Sequence, residues 1–369
     1  MVWKGREIVK KSRKWMVIPV LAAFLMGMVL AGCGKGAEPA KPETAKPEAP
    51  KQATKVGVGI LKLTSSAPIF IGMEKGFFKE QGIEIDPQWF DAAHPIAVAT
   101  ASNKVQVGAT GITASLFNMV AGGQNLSIVA DKGREQKGYS SSAVLVRTDL
   151  WDAGAKKIED LKGKRIGITQ TGSTFHYMIG RLLEAKGLTL SDVELVPLGK
   201  LSSLMAALQG KQVDAVILNE PNITKVLKDG YGKLITQVGD VIDYQTSGIF
   251  FAPEFMKNED AAVRFLMAYI KASRYYYDAV LVQKGGKPAP GANYEEVVGI
   301  IAKYTGAPAA DVKLGLPYMD RDGKLLASDI QTQIDWYFKN KMIEKQVSAA
   351  QVADTKLWDA ALKKIGAGK

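Results

Sequence analysis

Four short polar runs stand at the ends of apolar segments: Thr64-Ser65-Ser66, Thr110-Gly111-Ile112-Thr113, Thr171-Gly172-Ser173-Thr174 and Asn219-Glu220-Pro221. Hydroxyl and small residues between a strand and a helix can do three kinds of chemistry. A serine there can be a nucleophile, the free backbone N–H groups can cradle a phosphate, or the turn can hold a polar solute. The first two lack their companions. Phe175 stands two residues after Ser173, so G-x-S-x-G is absent, and no turn carries the Gly-Lys-Ser/Thr of a phosphate loop. His94 and His176 lie far apart without ligand or triad spacing, so no metal site is expected and each reads as a polar rim residue. The single cysteine, Cys33, excludes disulfides within the chain, cysteine metal clusters and a catalytic thiol in the mature domain.

Each candidate has a plain reading beside the functional one. Ser173 or Thr174 caps the helix that runs through Ala185, or the Thr171–Thr174 turn offers N–H groups and hydroxyls to a ligand. Thr64, Ser65, Ser66, Thr110, Gly111 and Thr113 either cap helices or face the same cleft. Pro68, just inside the helix after Ser66, marks a true helix start. In Phe90-Asp91-Ala92-Ala93-His94, Phe90 is a stacking surface or core, Asp91 a ligand contact or a cap, and His94 lies at the rim. Glu220 either receives a bidentate donor, such as an amidine, or serves as a first-turn acid. Tyr139 and Tyr244 stand beside the crossings between halves. No arginine lies in these loops, and Lys62, Arg134 and Lys200 are only neighbours. A monoanion or a planar, nitrogen-bearing or aromatic compound is therefore expected before a doubly charged oxyanion.

The elements that position these turns repeat. Residues 56–85 read strand, TSS, short helix, glycine and strand, and residues 165–196 repeat that plan with TGST for TSS. Residues 101–123 and 208–230 correspond likewise, each a turn, a Val-rich strand, a polar loop, a helix and a glycine. Two βαβαβ lobes with parallel-type sheets follow, their polar loops at the carboxyl ends of the strands and facing across a cleft. The strands SSAVLVR (141–147) and SGIFFAP (247–253) cross between lobes, so a hinge is expected. Lobe one takes 56–140 and 247–345, lobe two 141–246, and 346–369 is a C-terminal helical tail. Asn258 caps a long helix, and segments near Tyr294–Tyr304 and Ile330–Lys341 are expected to pack on lobe one.

The ends of the chain speak of location. The first 32 residues hold six basic residues and one acid, then an uncharged run from Trp15 to Gly32. With the cysteine that follows, they read as a secretory signal, and Leu30-Ala31-Gly32-Cys33 resembles a bacterial lipobox, with Cys33 as the lipidated residue. Residues 33–55 repeat Lys, Glu, Pro and Ala without a large apolar side chain, and read as a disordered tether. The net charge of +11 falls to +6 without the signal, and the tether carries two of the remaining six. That modest balance implies no nucleic-acid partner.

Several stretches together resemble one family: the lipobox, PIFIGMEKGFFKEQGIEID, VQVGATGITASLF, KGKRIGITQTGST and GKQVDAVILNEP. From about Val56 to Tyr337 the chain resembles substrate-binding proteins of ABC importers for nitrate, sulfonates, taurine and thiamine-precursor pyrimidines. The resemblance implies an α/β, type II periplasmic-binding-protein fold with a ligand between the lobes and no cofactor. It implies as partners a permease and, through it, an ATPase, for a monomer held outside the cytoplasm by its lipid. Many members show Trp-Glu-Pro where this chain has Asn219-Glu220-Pro221. Enzymes share the fold, including pyrimidine synthases, but export and tethering speak for binding rather than catalysis.

Overall fold

The computed structural model describes residues 53–284 and 287–366. The expected signal peptide, Cys33 and the expected tether up to residue 52 lie outside them. Ten strands build two sheets: β1 (Thr54–Leu61), β2 (Ile83–Phe90), β3 (Val107–Gly111), β4 (Ser127–Glu135), β5 (Ser142–Arg147), β6 (Arg165–Ile168), β7 (Glu194–Pro197), β8 (Ala215–Asn219), β9 (Gly232–Gln237) and β10 (Tyr244–Phe251). The first sheet runs β2-β1-β3-β10-β4 and the second β7-β6-β8-β5-β9. The inner strands are apolar on both faces, as sheets covered by helices on both sides require.

The two sheets share one plan, and the two-lobed α/β fold is as expected. One detail corrects the parallel sheets: β10 runs antiparallel to β3 and β4, and β5 antiparallel to β8 and β9. Both are crossing strands. Each arrives from the other lobe on the side where the parallel strands finish, so it must run against them. The first strand also starts earlier than expected: Thr54 and Lys55, assigned to the tether, already pair with Ile83 and Glu84.

The helix Glu259–Val280 covers the first sheet. Asn258 accepts from the Ala261 N–H and two acids fill the first turn, a cap worth about 1 kcal/mol. Tyr294–Thr305 and Lys356–Ile365 pack in the same core. The helix Ala327–Lys339 packs on lobe one as expected, where Gln333 Nε2 donates to the Gln245 carbonyl at 2.8 Å and Tyr337 meets Phe117, but it packs on lobe two as well. Its Trp336 and Tyr337 pack with Tyr177 of lobe two, Trp336 lies directly over Gly180, which has no side chain to obstruct it, and Tyr337 Oη donates to the Ser173 carbonyl at 3.1 Å. The other side of this segment reaches lobe one, where Asn118 Nδ2 donates to the Met342 carbonyl. An amphipathic pattern marks a buried face but not which lobe buries it. No described helix is long and apolar enough to cross a membrane.

Candidate functional site

The carboxyl ends of the parallel strands in both sheets meet across one cavity. Ser65 and Gly111 line it from lobe one, Thr174, Phe175 and Asn219 from lobe two, with Lys132 in its wall. Leu61, Leu63 and Leu201 form an apolar side. Its room is about 50 Å³, on a measure by which one water needs roughly 10–15 Å³. It therefore suits a solute of a handful of non-hydrogen atoms. The lobes touch around it: the Ala114 N–H donates to the Gly172 carbonyl at 2.9 Å, and the Thr64 N–H to the Glu220 carbonyl at 3.3 Å.

Lys132 is the residue sequence reasoning missed. Along the β4–β10 ladder, Gly248 faces Asp131 and Ser247 faces Gly133, so Lys132 is an extra residue on β4. Such a bulge re-aims a side chain. Gly133 follows at φ 143°, a backbone angle that suits glycine. The bulge turns Lys132 into the cleft, where the residue is 1 % exposed. Its Nζ donates to Ser65 Oγ at 3.0 Å. Burial pulls its pKa down to about 7, against the attraction of Asp131. Asp131 itself turns away, accepting from the Gly133 and Asp320 N–H groups and from Gln245. Among the described residues no carboxylate lines the cavity, so the ammonium is attracted only by Asp131, which is turned away from it. The available signal was a lysine before a glycine at the carboxyl end of an apolar strand, the same place where the polar turns stand.

The lobe-two jaw is neutral. Ser173 Oγ accepts from the His176 N–H at 3.2 Å and so caps the helix Thr174–Glu184. The Gly172 N–H donates to His176 Nδ1 at 3.1 Å, and the Ser173 N–H to the Gln170 carbonyl. His176 is thus no rim residue. It is buried under the turn, and burial pushes its pKa down to about 4, which keeps it neutral. Gly172 lies against Ala114, and a side chain there would collide with it. Thr174 and Phe175, the first two residues of that helix, line the cavity; first-turn N–H groups have no partner within a helix, and the helix dipole stands behind them. Thr246 Oγ1, also in the cavity wall, has no partner among the described residues.

The other residues singled out from the sequence lie elsewhere. Ser66 Oγ turns back to the Leu61 carbonyl at 2.8 Å, while Thr64 and Thr110 are buried with unpartnered hydroxyls outside the cavity wall. Thr113 bonds Ser115, which also holds His94 Nδ1 at 3.0 Å. Phe90 packs with Leu61, Leu63 and Ile96, and Asp91 and Thr171 are exposed. Glu220 is buried behind its own helix, its carboxylate accepting from the N–H and hydroxyl of Thr224 at 3.1 Å. Burial raises its pKa, with the Thr224 bonds opposing. It is a capping acid and leaves no free oxygen edge for an amidine. Tyr244 packs against Tyr177 with the rings tilted by 42°, and Tyr139 lies near Tyr318. Lys62 sits over Trp89 and Arg134 bonds Gln245. Among the described residues no group of three or more His, Cys, Asp or Glu is placed to hold a metal ion.

Known proteins share this architecture. The family profile described as "NMT1/THI5 like" matches residues 63–279. A Bacillus subtilis (strain 168) protein, provisionally named an aliphatic sulfonates-binding protein, is 24% identical over 367 residues, covering 96% of this chain and 99% of its own length. The nitrate/nitrite binding protein NrtA of Nostoc sp. is 25% identical over 426 residues, covering 96% and 90%. Among solved structures, the alkanesulfonate-binding protein SsuA from Xanthomonas axonopodis pv. citri, bound to MOPS, superposes with a TM-score of 0.67 at 19% identity. That match covers 81% of this chain and 98% of the other, and at such identity it is a likeness of fold.

Proposed function

The chain belongs to the NMT1/THI5-like family, and from that premise we propose that it is the extracytoplasmic solute-binding lipoprotein of an ABC importer, capturing a small monoanion between its lobes for a permease. The observation that carries the reading is Lys132. Taking an ammonium out of water costs several kcal/mol unless it finds a counter-charge. Here its hydrogen-bond partner among the described residues is one serine hydroxyl, Asp131 attracts it only from outside the cavity, and none of the described residues lining the cavity is an acid. An anionic ligand completes the pair. The Thr174 and Phe175 N–H groups, brought up by lobe two, offer further donors to the same anion.

Capture then follows from differential affinity. The anion meets the cation of lobe one in the open form, and only closure adds the donors of lobe two, so ligand favours the closed state. The interlobe bonds at Ala114–Gly172 and Thr64–Glu220 hold that state. The relatives' names speak for sulfonate or nitrate-type solutes, and Lys132 speaks against an uncharged pyrimidine. The anchor rests on the Leu30–Cys33 motif.

Calorimetry with ethanesulfonate and nitrate tests the reading. Lys132→Met should weaken binding about 100-fold or more, the loss of a buried charge partner, while the ligand-free protein melts no lower. Unchanged affinity would overturn the assignment.

One observation favours a second reading. A lysine with a pKa near 7, 3.0 Å from a serine hydroxyl, is also the arrangement in which a neutral amine takes a serine's proton for nucleophilic attack. Recovery of the ligand intact after long incubation, with Ser65→Ala merely weakening binding, decides for capture. Turnover lost with Ser65→Ala decides for an enzyme.

A further inference from the structure

We infer that the solute carries a hydrogen-bond donor, a hydroxyl or an amine, beside its anionic group, because Asn219 presents its amide oxygen to the cavity. The inference rests on the anion-capture reading and deepens it. It follows from where the protons must go in a small buried network where β4 leads into β5.

Glu135, at the end of β4, is buried with no cationic partner among the described residues. Its Oε2 meets Ser140 Oγ and the Ser141 N–H, and its Oε1 meets Ser141 Oγ and Ser142 Oγ. Ser142 Oγ in turn lies 2.7 Å from the side-chain amide of Asn219. A hydroxyl has one proton. Ser142 donates its proton to Glu135 Oε1, an atom that only accepts, so toward Asn219 the hydroxyl can only receive a bond. The atom facing it is therefore Nδ2, and Oδ1 is left pointing the other way. Oδ1 has no donor among the described residues, and Asn219 lines the cavity.

Protonation of Glu135 leaves this direction unchanged. Burial raises its pKa while the serine bonds oppose. A proton taken up goes to Oε2, because Ser140 can receive it: Ser140 has the Ser142 carbonyl at 2.8 Å for its own proton. Oε1 stays an acceptor for Ser142 in both states. The cavity thus has a positive pole at Lys132 and an acceptor at Asn219, with apolar wall beside them. A simple alkyl anion would leave the Asn219 oxygen unpaired on closure, which is costly for a polar group taken from water. A hydroxyl or amine satisfies it.

The test uses size-matched anions on the purified protein: 1-propanesulfonate, 2-hydroxyethanesulfonate and 2-aminoethanesulfonate, with butanoate, 3-hydroxypropanoate and 3-aminopropanoate as a carboxylate series. Wild type should bind the hydroxy and amino members of a series about tenfold or more tighter than the alkyl member, the effect of one fixed hydrogen bond. Asn219→Leu should reduce all three to the alkyl level. Glu135→Gln gives the sharper readout. The Ser141 N–H holds the glutamine oxygen at the Oε2 place, so its amide N–H faces Ser142, whose proton then turns to Asn219 and flips that amide. The cavity now receives an N–H. A hydroxyl still fits by accepting, whereas a cationic amine, which only donates, should lose about tenfold or more. If Glu135→Gln does not fold, Asn219→Leu alone decides. Equal binding of all members of a series by wild type overturns this inference and leaves anion capture standing. Binding of no anion, nitrate included, overturns both.

Discussion

Strands β4 and β9 hold the same edge position in their sheets, each beside the strand that crosses from the other lobe, yet they do opposite things. β4 is nine residues long, buried at almost every position, and bulged so that Lys132 enters the cleft. β9 has six residues, mostly half-buried, and none of them reaches the cavity. A repeated topology therefore does not imply a shared recognition task. Lobe one holds the fixed charge and lobe two the neutral dipoles. The asymmetry suits a clamp, because the charged half attracts an ion at long range while the dipoles act only on contact.

The largest way to break this contrast, after Lys132→Met, is to remove the bulge that aims the lysine. Gly133→Ala keeps the charge but forces a side chain into a glycine conformation, costing about 1–3 kcal/mol. It should weaken ethanesulfonate binding about tenfold or more, with a lower melting temperature. Retained affinity would show that the bulge does not position Lys132.

Proton linkage sharpens the contrast next. Lys132 is charged in the ligand-free cleft below pH about 7, and an anion raises its pKa. Above pH 7 binding must take up a proton. Affinity should be level below pH 7 and fall by at most about tenfold per unit as pH rises above it. Calorimetry in buffers of different ionisation enthalpy reads the proton directly. Lys132→Arg, charged throughout, should lose the dependence.

Lobe two should respond more in stability than in charge. The folded pKa of His176 lies below its ordinary 6.5, at about 4, so the neutral form is the stable one. Its contribution is present above pH 6.5 and is lost as pH falls toward 4, on the order of 2–3 kcal/mol. Melting curves of wild type and His176→Gln across pH 4–7 check this: the acid loss should shrink in the variant.

The smallest effects separate two adjacent residues. Ser173→Ala should lower stability by about 1 kcal/mol through loss of the cap and leave affinity nearly unchanged. Thr174→Val should weaken binding about threefold without lowering the melting temperature, since one hydroxyl contact at a half-buried residue is modest. The sequence alone joins Ser173 and Thr174 as one binding turn. The structure divides them, because the Ser173 hydroxyl is taken by the His176 N–H.

The same division recurs elsewhere. Ser65, Gly111, Thr174 and Asn219 were legible as strand-end residues, and all four line the cavity. Ser66 and Glu220 share that local pattern, but their polar atoms are taken by the Leu61 carbonyl and by Thr224. A sequence shows that a polar side chain stands at a turn but not which neighbour claims it.

What the chain determined by itself is the frame: two repeats, their strands and helices, and polar turns at the strand ends. Hydrophobic period, glycine placement and capping are properties of adjacent residues, so they can be read in a line. Tertiary structure alone decided the aim of Lys132, the lobe that buries Trp336 and the direction of the Asn219 amide. Each depends on partners far away in the chain, β10 for the bulge, Tyr177 and Gly180 for the tryptophan, and Glu135 through Ser142 for the amide, and no local pattern specifies those pairings.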